Sequence, residues 1–262
     1  MARVSTEIVD HVAHVTLTRG DKMNGVDMEM AEGIVAAGDA LIDNADVRAV
    51  VLSGEGRAFC AGLDVASFAM MAGQDPHAIL DPRLEGKNTN IYQDVAMVWR
   101  RVPVPVIASL HGVVYGAGFQ LALGADVRIC HPETKLAVME MKWGLVPDMG
   151  GMVLMPRIMR SDVIRRLTYT AETVDAVQAL EWGIVTELND DPLAAAQALA
   201  TTIAGKSPSA IRAAKRLIGV AESGVGEDAV LRAESWEQAE LIGKPHQMEV
   251  IAANMQKRAP KF

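Results

Sequence analysis

Two cysteines in 262 residues, Cys60 and Cys130, are too few for a disulfide framework. A core must therefore hold the fold, and such a lone pair of thiols points to a reducing compartment. Aromatic side chains make up only 4% of a chain that is half hydrophobic, which leaves the core to Ala, Val, Ile, Leu and the 15 methionines. That composition suits closely packed helices and sheet. Cations are also scarce. The 25 Lys and Arg against 33 Asp and Glu give a formal charge of −8, which argues against a nucleic-acid binder, because counterion release needs a basic face. No stretch approaches the roughly 18 uncharged apolar residues of a membrane span, and the opening MARVSTEIVDHVAHVTLT lacks the long apolar segment of a secretory leader. A cytoplasmic protein with no membrane partner is expected. The six histidines show no paired metal spacing, so no metal is expected either.

What is present is an alternation of short β runs and helical stretches, long enough for one large α/β domain. Val4 to Val9 and Val12 to Thr18, separated by Asp10-His11, predict a hairpin, and Asp27 reads as the N-cap of a helix from Met28 to about Asn44. Val47 to Ser53 predicts a buried strand, with a further helix starting near Asp64. Residues 73–90, with Pro76, Pro82 and Gly86, predict a loop or a short helical excursion. A helix over Ile91 to Arg101 is stopped by Pro103 and Pro105. Then follow a strand at Val106 to His111, a glycine-rich stretch over 112–118, a helix at Phe119 to Gly124, and strands at Val127 to Cys130 and Leu136 to Val138. Beyond Gly150 the chain reads as mostly helical, with starts at Ser161, Thr173, Asp191-Pro192 and Ser207-Pro208, and one strand at Val185 to Leu188.

Two segments hand a strand over to a helix through glycine. In Arg57-Ala58-Phe59-Cys60-Ala61-Gly62-Leu63-Asp64, unpaired N–H groups at the helix start suit a developing oxyanion; the plainer reading is a tight turn at Gly62 and a cap at Asp64. Cys60 has no nearby His to activate it, so packing is the better account of it. The second segment, His111-Gly112-Val113-Val114-Tyr115-Gly116-Ala117-Gly118-Phe119-Gln120, lacks the Gly-x-Gly-x-x-Gly spacing of a dinucleotide site, but its small residues let a ligand carbonyl approach the backbone.

These two segments, followed by Leu-Ala-Val-Met-Glu-Met-Lys-Trp-Gly-Leu-Val-Pro-Asp-Met-Gly-Gly at 136–151, resemble the enoyl-CoA hydratase/isomerase (crotonase) superfamily. The resemblance covers nearly the whole chain, from the hairpin with Arg19 and Lys22-Met23-Asn24 to the helical tail. It implies an α/β spiral of ββα units over residues 1–200 carrying an acyl-CoA site. Residues 201–262 would then form a C-terminal helical region for oligomerisation and active-site cover, in a homotrimer or dimer of trimers. It further implies that the backbone N–H groups of Leu63 and Ala117 form an oxyanion hole for the thioester carbonyl, a device typically worth several kcal/mol to an enolate-like transition state. By the same resemblance Lys22, Arg57, Ala61 and Gly116 lie along the coenzyme A, which is part of the substrate rather than a resident cofactor, and Lys257 or Arg258 reaches it from a neighbouring subunit.

The positions matching the two hydratase glutamates are Gln120 and Glu140. An amide can hydrogen-bond but cannot exchange a proton near neutral pH, so two-carboxylate hydration is compromised. Asp148, eight residues after Glu140, resembles the second member of the Glu and Asp pair of dienoyl-CoA isomerases, although those also carry Asp where this chain has Gln120. Asp148 alternatively caps a helix starting near Gly150, and Trp143 either lines the acyl pocket or packs in the core. Three readings follow: an enzyme acting on an unsaturated acyl-CoA with Glu140 as principal base, a dienoyl-CoA isomerase-like proton shuttle by Glu140 and Asp148, or a non-catalytic acyl-CoA-binding homologue.

Overall fold

The computed structural model describes residues 2–64, 66, 73 and 75–262. Six strands form the larger sheet in the order β1 (Val4–Val9), β2 (Val12–Leu17), β3 (Ala49–Gly54), β4 (Val106–Leu110), β6 (Val127–Cys130) and β9 (Glu187–Leu188). Only the opening hairpin is antiparallel; every later neighbour is parallel. A smaller sheet joins β5 (Val113–Tyr115), β7 (Lys135–Ala137) and β8 (Val174–Asp175). The chain lays one strand in the large sheet and then crosses to the small one, as β4 to β5 and β6 to β7. Ahead of them β3 leads to Cys60, which bridges Val114 of β5. This spiral of ββα units is the expected α/β architecture.

Both faces of the large sheet are covered, as a parallel sheet requires. Alternation along β3 sends Val50 and Leu52 to one side and Ala49 and Val51 to the other. The first side packs on α1 (Met28–Ile42) and α3 (Ile91–Arg101), which enclose Met30, Ile34, Val98 and Trp99. Asp27 caps α1 by accepting from Met30 N at 2.9 Å, and Asn90 with Gln93 forms a capping box on α3. The two helices approach closely at Gly38, where a Cβ would run into Val98. The second side packs on α8 (Pro192–Ala204), whose Ala196, Ala200 and Ala204 recur every four residues against Ala49, Val51, Ile107 and Ile129.

The remaining helices among the described residues are α2 (Pro76–Leu80), α4 (Ala117–Leu123), α5 (Gly151–Ile158), α6 (Ser161–Thr170), α7 (Ala176–Glu181), α9 (Pro208–Ala221), α10 (Glu227–Ala239) and α11 (Pro245–Met255). Lys215 fastens α9 to the core, donating to the Trp99 and Val104 carbonyls and to Asp126 at 3.2, 2.8 and 2.7 Å. Further out, α10 and α11 leave Leu231, Trp236, Met248 and Met255 exposed.

Several boundaries depart from the sequence reading. Residues 112–118, read as a loop, contain β5, which is too short to show a period and is fixed by pairing with β7. The first turn of α4 starts at Ala117 rather than Phe119. Residues 140–143 form a 3-10 turn, and α7 starts after the cap Asp175 rather than at Thr173. The helix expected from Asp64 falls largely outside the described residues. Among the described residues, no helix is long and apolar enough to cross a membrane, and no group of three or more His, Cys, Asp or Glu is placed to hold a metal.

Candidate active site

The first loop leaves β3 and is fastened by Asn24. This side chain is fully buried, and its amide donates to the carbonyls of Glu55, Ala58 and Phe59 at 2.9, 2.9 and 3.1 Å while its oxygen accepts from Arg19 N at 2.9 Å. Arg19 donates to the Gly25 carbonyl at 2.9 Å and pairs with Asp64 at 2.7 Å, so both ends of the loop are held. Ala61 N donates to Met23 O, Val26 N to Gly62 O and Asp64 N to Val26 O. In this pattern the Asp64 N–H is consumed by Val26 O, whereas that of Leu63 lies on the opposite side of the bridge and donates to no backbone carbonyl among the described residues.

The second loop crosses directly over the first. Tyr115 N donates to Cys60 O at 3.0 Å and Cys60 N to Val113 O at 3.3 Å. The approach is close enough that a Cβ on Gly118 would strike the Cys60 carbonyl, so this position admits only glycine. Gly116, with φ +49°, turns the chain into α4, and its N–H is held by Ala137 O at 3.0 Å. Ala117 is therefore the first residue of a helix, with an N–H that has no intrahelical partner. The Gly62 backbone lies beside it: an added Cβ there would sit 3.9 Å from Ala117 N. The first loop thus adjoins the start of α4 at residues 62 and 117.

The third segment brings the carboxyls. Glu140 opens the 3-10 turn, and a Cβ on Gly116 would lie 3.5 Å from its Oε1. Gln120, fully buried in α4, donates from Nε2 to Glu140 Oε1 at 2.6 Å. The Gln120 oxygen accepts from Met149 N and Gly151 N, both at 2.9 Å, and a Cβ on Gly151 would displace it. Glu140 Oε2 is buried with no hydrogen-bond partner. Burial raises the Glu140 pKa, the hydrogen bond from Gln120 opposes that rise, and the charge of Asp148 adds to it. Asp148 keeps a solvent-facing edge, yet the protein crowded around its carboxyl raises its pKa too, and its charge acts on buried Tyr92 of α3. The cap expected of Asp148 is not formed. Gly150, left-handed at φ +87°, is the N-cap of α5, and no side chain caps it.

Other sequence-singled residues are placed as follows. Lys22 and Arg57 are exposed, Lys22 close enough for its charge to act on Asp64. Ala61 is half-buried between them and Leu63. Cys60 is fully buried in the core, where burial pushes its thiol up to about 12, in keeping with a packing role. Trp143 is 52% exposed, so the core role is overturned. Arg258 is engaged by Glu249 at 2.5 Å. Sequence reasoning missed the Asn24 clamp and the Met149 and Gly151 grip on Gln120. The adjacent glycines 150 and 151 were the signal available for the second. A cavity of about 610 Å³ lies elsewhere, bordered by Arg100, Asp126, Arg128 and Lys215.

The family profile described as enoyl-CoA hydratase/isomerase matches residues 7–262. The human mitochondrial Delta(3,5)-Delta(2,4)-dienoyl-CoA isomerase is 34% identical over 80% of this chain, a match that spans 66% of the human protein's length. A probable enoyl-CoA hydratase of Mycobacterium tuberculosis is 30% identical over 96% of this chain and 94% of its own. The crystal structure of a probable enoyl-CoA hydratase/isomerase from Mycobacterium abscessus superposes with a TM-score of 0.88 at 27% identity, covering all of this chain and 99% of the other. With the spiral fold and the ordered motifs at 59–64, 111–120 and 136–151, these matches establish that the chain belongs to the enoyl-CoA hydratase/isomerase family of enzymes.

Proposed function

We propose that this protein acts on an unsaturated acyl-CoA thioester through an enolate whose oxygen rests on the Leu63 and Ala117 N–H groups, with Glu140 as the principal base. The observation that supports the reading is that the first loop approaches the start of α4 at Gly62 and Ala117, that Gly116 there lies against Glu140, and that Glu140 Oε2 is buried without a hydrogen-bond partner. Removing a proton next to a thioester sends negative charge to its oxygen. Two fixed donors stabilise that charge without reorganising, and a carboxyl with a raised pKa is a stronger base for the carbon acid. Lys22 and Arg57, both exposed cations, suit the phosphates of coenzyme A, and the small residues Ala61 and Gly116 suit a close approach of its thioester end.

A second reading, an isomerase using Glu140 and Asp148 together, is favoured by the charge of Asp148 acting on Glu140 and by the likeness to the human dienoyl-CoA isomerase. The exposed apolar side chains of α10 and α11 support assembly as a homotrimer or dimer of trimers, and the two free buried thiols suit the cytoplasm.

The test is to supply purified protein with a 2-enoyl-CoA and, separately, a 3,5-dienoyl-CoA, following the conjugated thioester absorbance, and to repeat with Glu140→Gln. Turnover of either substrate that disappears in the variant is expected. Tight binding of both esters with no turnover of either would establish a binding protein instead.

A further inference from the structure

The Gln120 side chain has no freedom to serve the substrate directly. Its oxygen accepts from two backbone N–H groups, of Met149 and Gly151, which occupies both lone pairs. Those two donors also fix the amide orientation, since a flipped group would set N–H against N–H. Nε2 must then face Glu140 Oε1, the 2.6 Å contact observed. An amide so engaged can neither take a proton from a water molecule nor accept a hydrogen bond from one. What it does is hold one oxygen of Glu140 and leave the other, Oε2, buried and unpartnered.

Resting on the reading of Glu140 as base, we propose that Gln120 is a positioning residue that locks Glu140 by Oε1 so that Oε2 alone meets the substrate. The site therefore relocates a proton within the unsaturated acyl chain rather than adding water across its double bond. The step balances without a co-reactant: the C–H electron pair moves into the enolate as Oε2 takes the proton, and the pair returns to form a C–H bond at another carbon as a carboxyl gives a proton back. The substrate class is an acyl-CoA whose double bonds shift. The charge of Asp148 acts on both Glu140 and Tyr92 and raises the pKa of each.

The experiment is a ¹³C NMR titration of the Glu140 carboxyl in unliganded protein, its signal assigned by its loss in Glu140→Gln, run alongside kinetics on a 3,5-dienoyl-CoA and a 2-enoyl-CoA. In Gln120→Glu both backbone donors keep an acceptor, so the fold is retained. Two carboxyls at that separation must share a proton, and the Glu140 signal is expected to titrate at least one pH unit higher, with the acid limb of kcat/KM moving the same way. In Gln120→Leu, kcat on the dienoyl ester should fall tenfold or more with KM within threefold. Wild-type hydration of the 2-enoyl ester should run at least a hundredfold below double-bond migration. An unmoved titration in Gln120→Glu, or wild-type hydration as fast as migration, overturns the proposal. A shifted titration in a protein that turns over neither ester would uphold the positioning role and sink the substrate reading, so the two fail separately.

Discussion

Asp94 and Glu140 are both carboxyls drawn into the protein, and they are treated in opposite ways. Asp94, fully buried at the start of α3, is met by Lys87 at 2.8 Å, by Arg101 at 2.6 Å and by the Thr89 hydroxyl at 2.7 Å. Burial alone would raise its pKa, but the hydrogen bonds from Arg101, Lys87 and Thr89 outweigh it and the net shift is downward. Glu140 has no salt-bridge partner among the described residues and a neighbouring negative charge; burial outweighs the backbone N–H groups of Glu140 and Met139 and the Gln120 amide, and its pKa goes up. A buried charge with every lone pair satisfied serves the fold; one left short of partners is held ready for a reacting group. The Asp94 cluster ties residues 84–90 to α3 and, through Lys87, to Asp39 of α1.

The sharpest way to break this contrast is Glu140→Gln. Removing a positioned acid/base should lower turnover by about 10²–10⁴-fold. Its unfolding midpoint in urea should stay level or rise, because a disfavoured charge has been removed. A fall in stability with activity retained would reverse the assignment. Asp94→Ala should do the opposite, costing about 3 kcal/mol of stability by removing the carboxylate that Arg101, Lys87 and Thr89 share and leaving Asp39 as the remaining partner of Lys87, while kcat at low temperature stays within a few-fold of wild type.

The pH dependence separates the two groups by sign. The stability contributed by Asp94, whose folded pKa is depressed, is present above its unfolded value and lost as pH falls through the folded one. The Glu140 contribution, with the folded pKa raised, is full below its unfolded value and lost as pH rises through the folded one. Urea melts of the wild type and the two variants should therefore converge for Asp94→Ala toward low pH, and for Glu140→Gln differ most on the alkaline side of the ordinary carboxylate range. The smallest effect is expected from Asp148→Asn. Deleting its charge should lower the Glu140 pKa and move the acid limb of kcat/KM to lower pH, with no loss of fold; a limb that stays in place would mean the two carboxyls do not sense each other.

Local signals made much of this molecule legible in the sequence. The Asp27 cap, the opening hairpin, the α3 span and the glycine-punctuated handovers at 59–64 and 111–120 each depend on neighbours a few residues away. The segment carrying Glu140 and Asp148 was legible by its order after those loops. What could not be read depends on distant partners. Asn24 grips carbonyls 31 to 35 residues away, and Gln120 is gripped by amides 29 and 31 residues on. Neither contact leaves a periodicity or a motif. Asp148 looked equally good as a cap because the sequence cannot tell that Gly150 adopts the left-handed turn that makes a side-chain cap unnecessary.

The donors at 63 and 117 belong to the peptide chain itself, and that has a consequence for how such a protein changes over generations. Mutational drift in side chains cannot erase a main-chain N–H, so the enolate stabilisation proposed above would survive substitutions that alter everything around it. On the proposed reading, reaction identity is left to a few interchangeable side chains, those at 120, 140 and 148, where a lineage could trade one chemistry for another without rebuilding its scaffold.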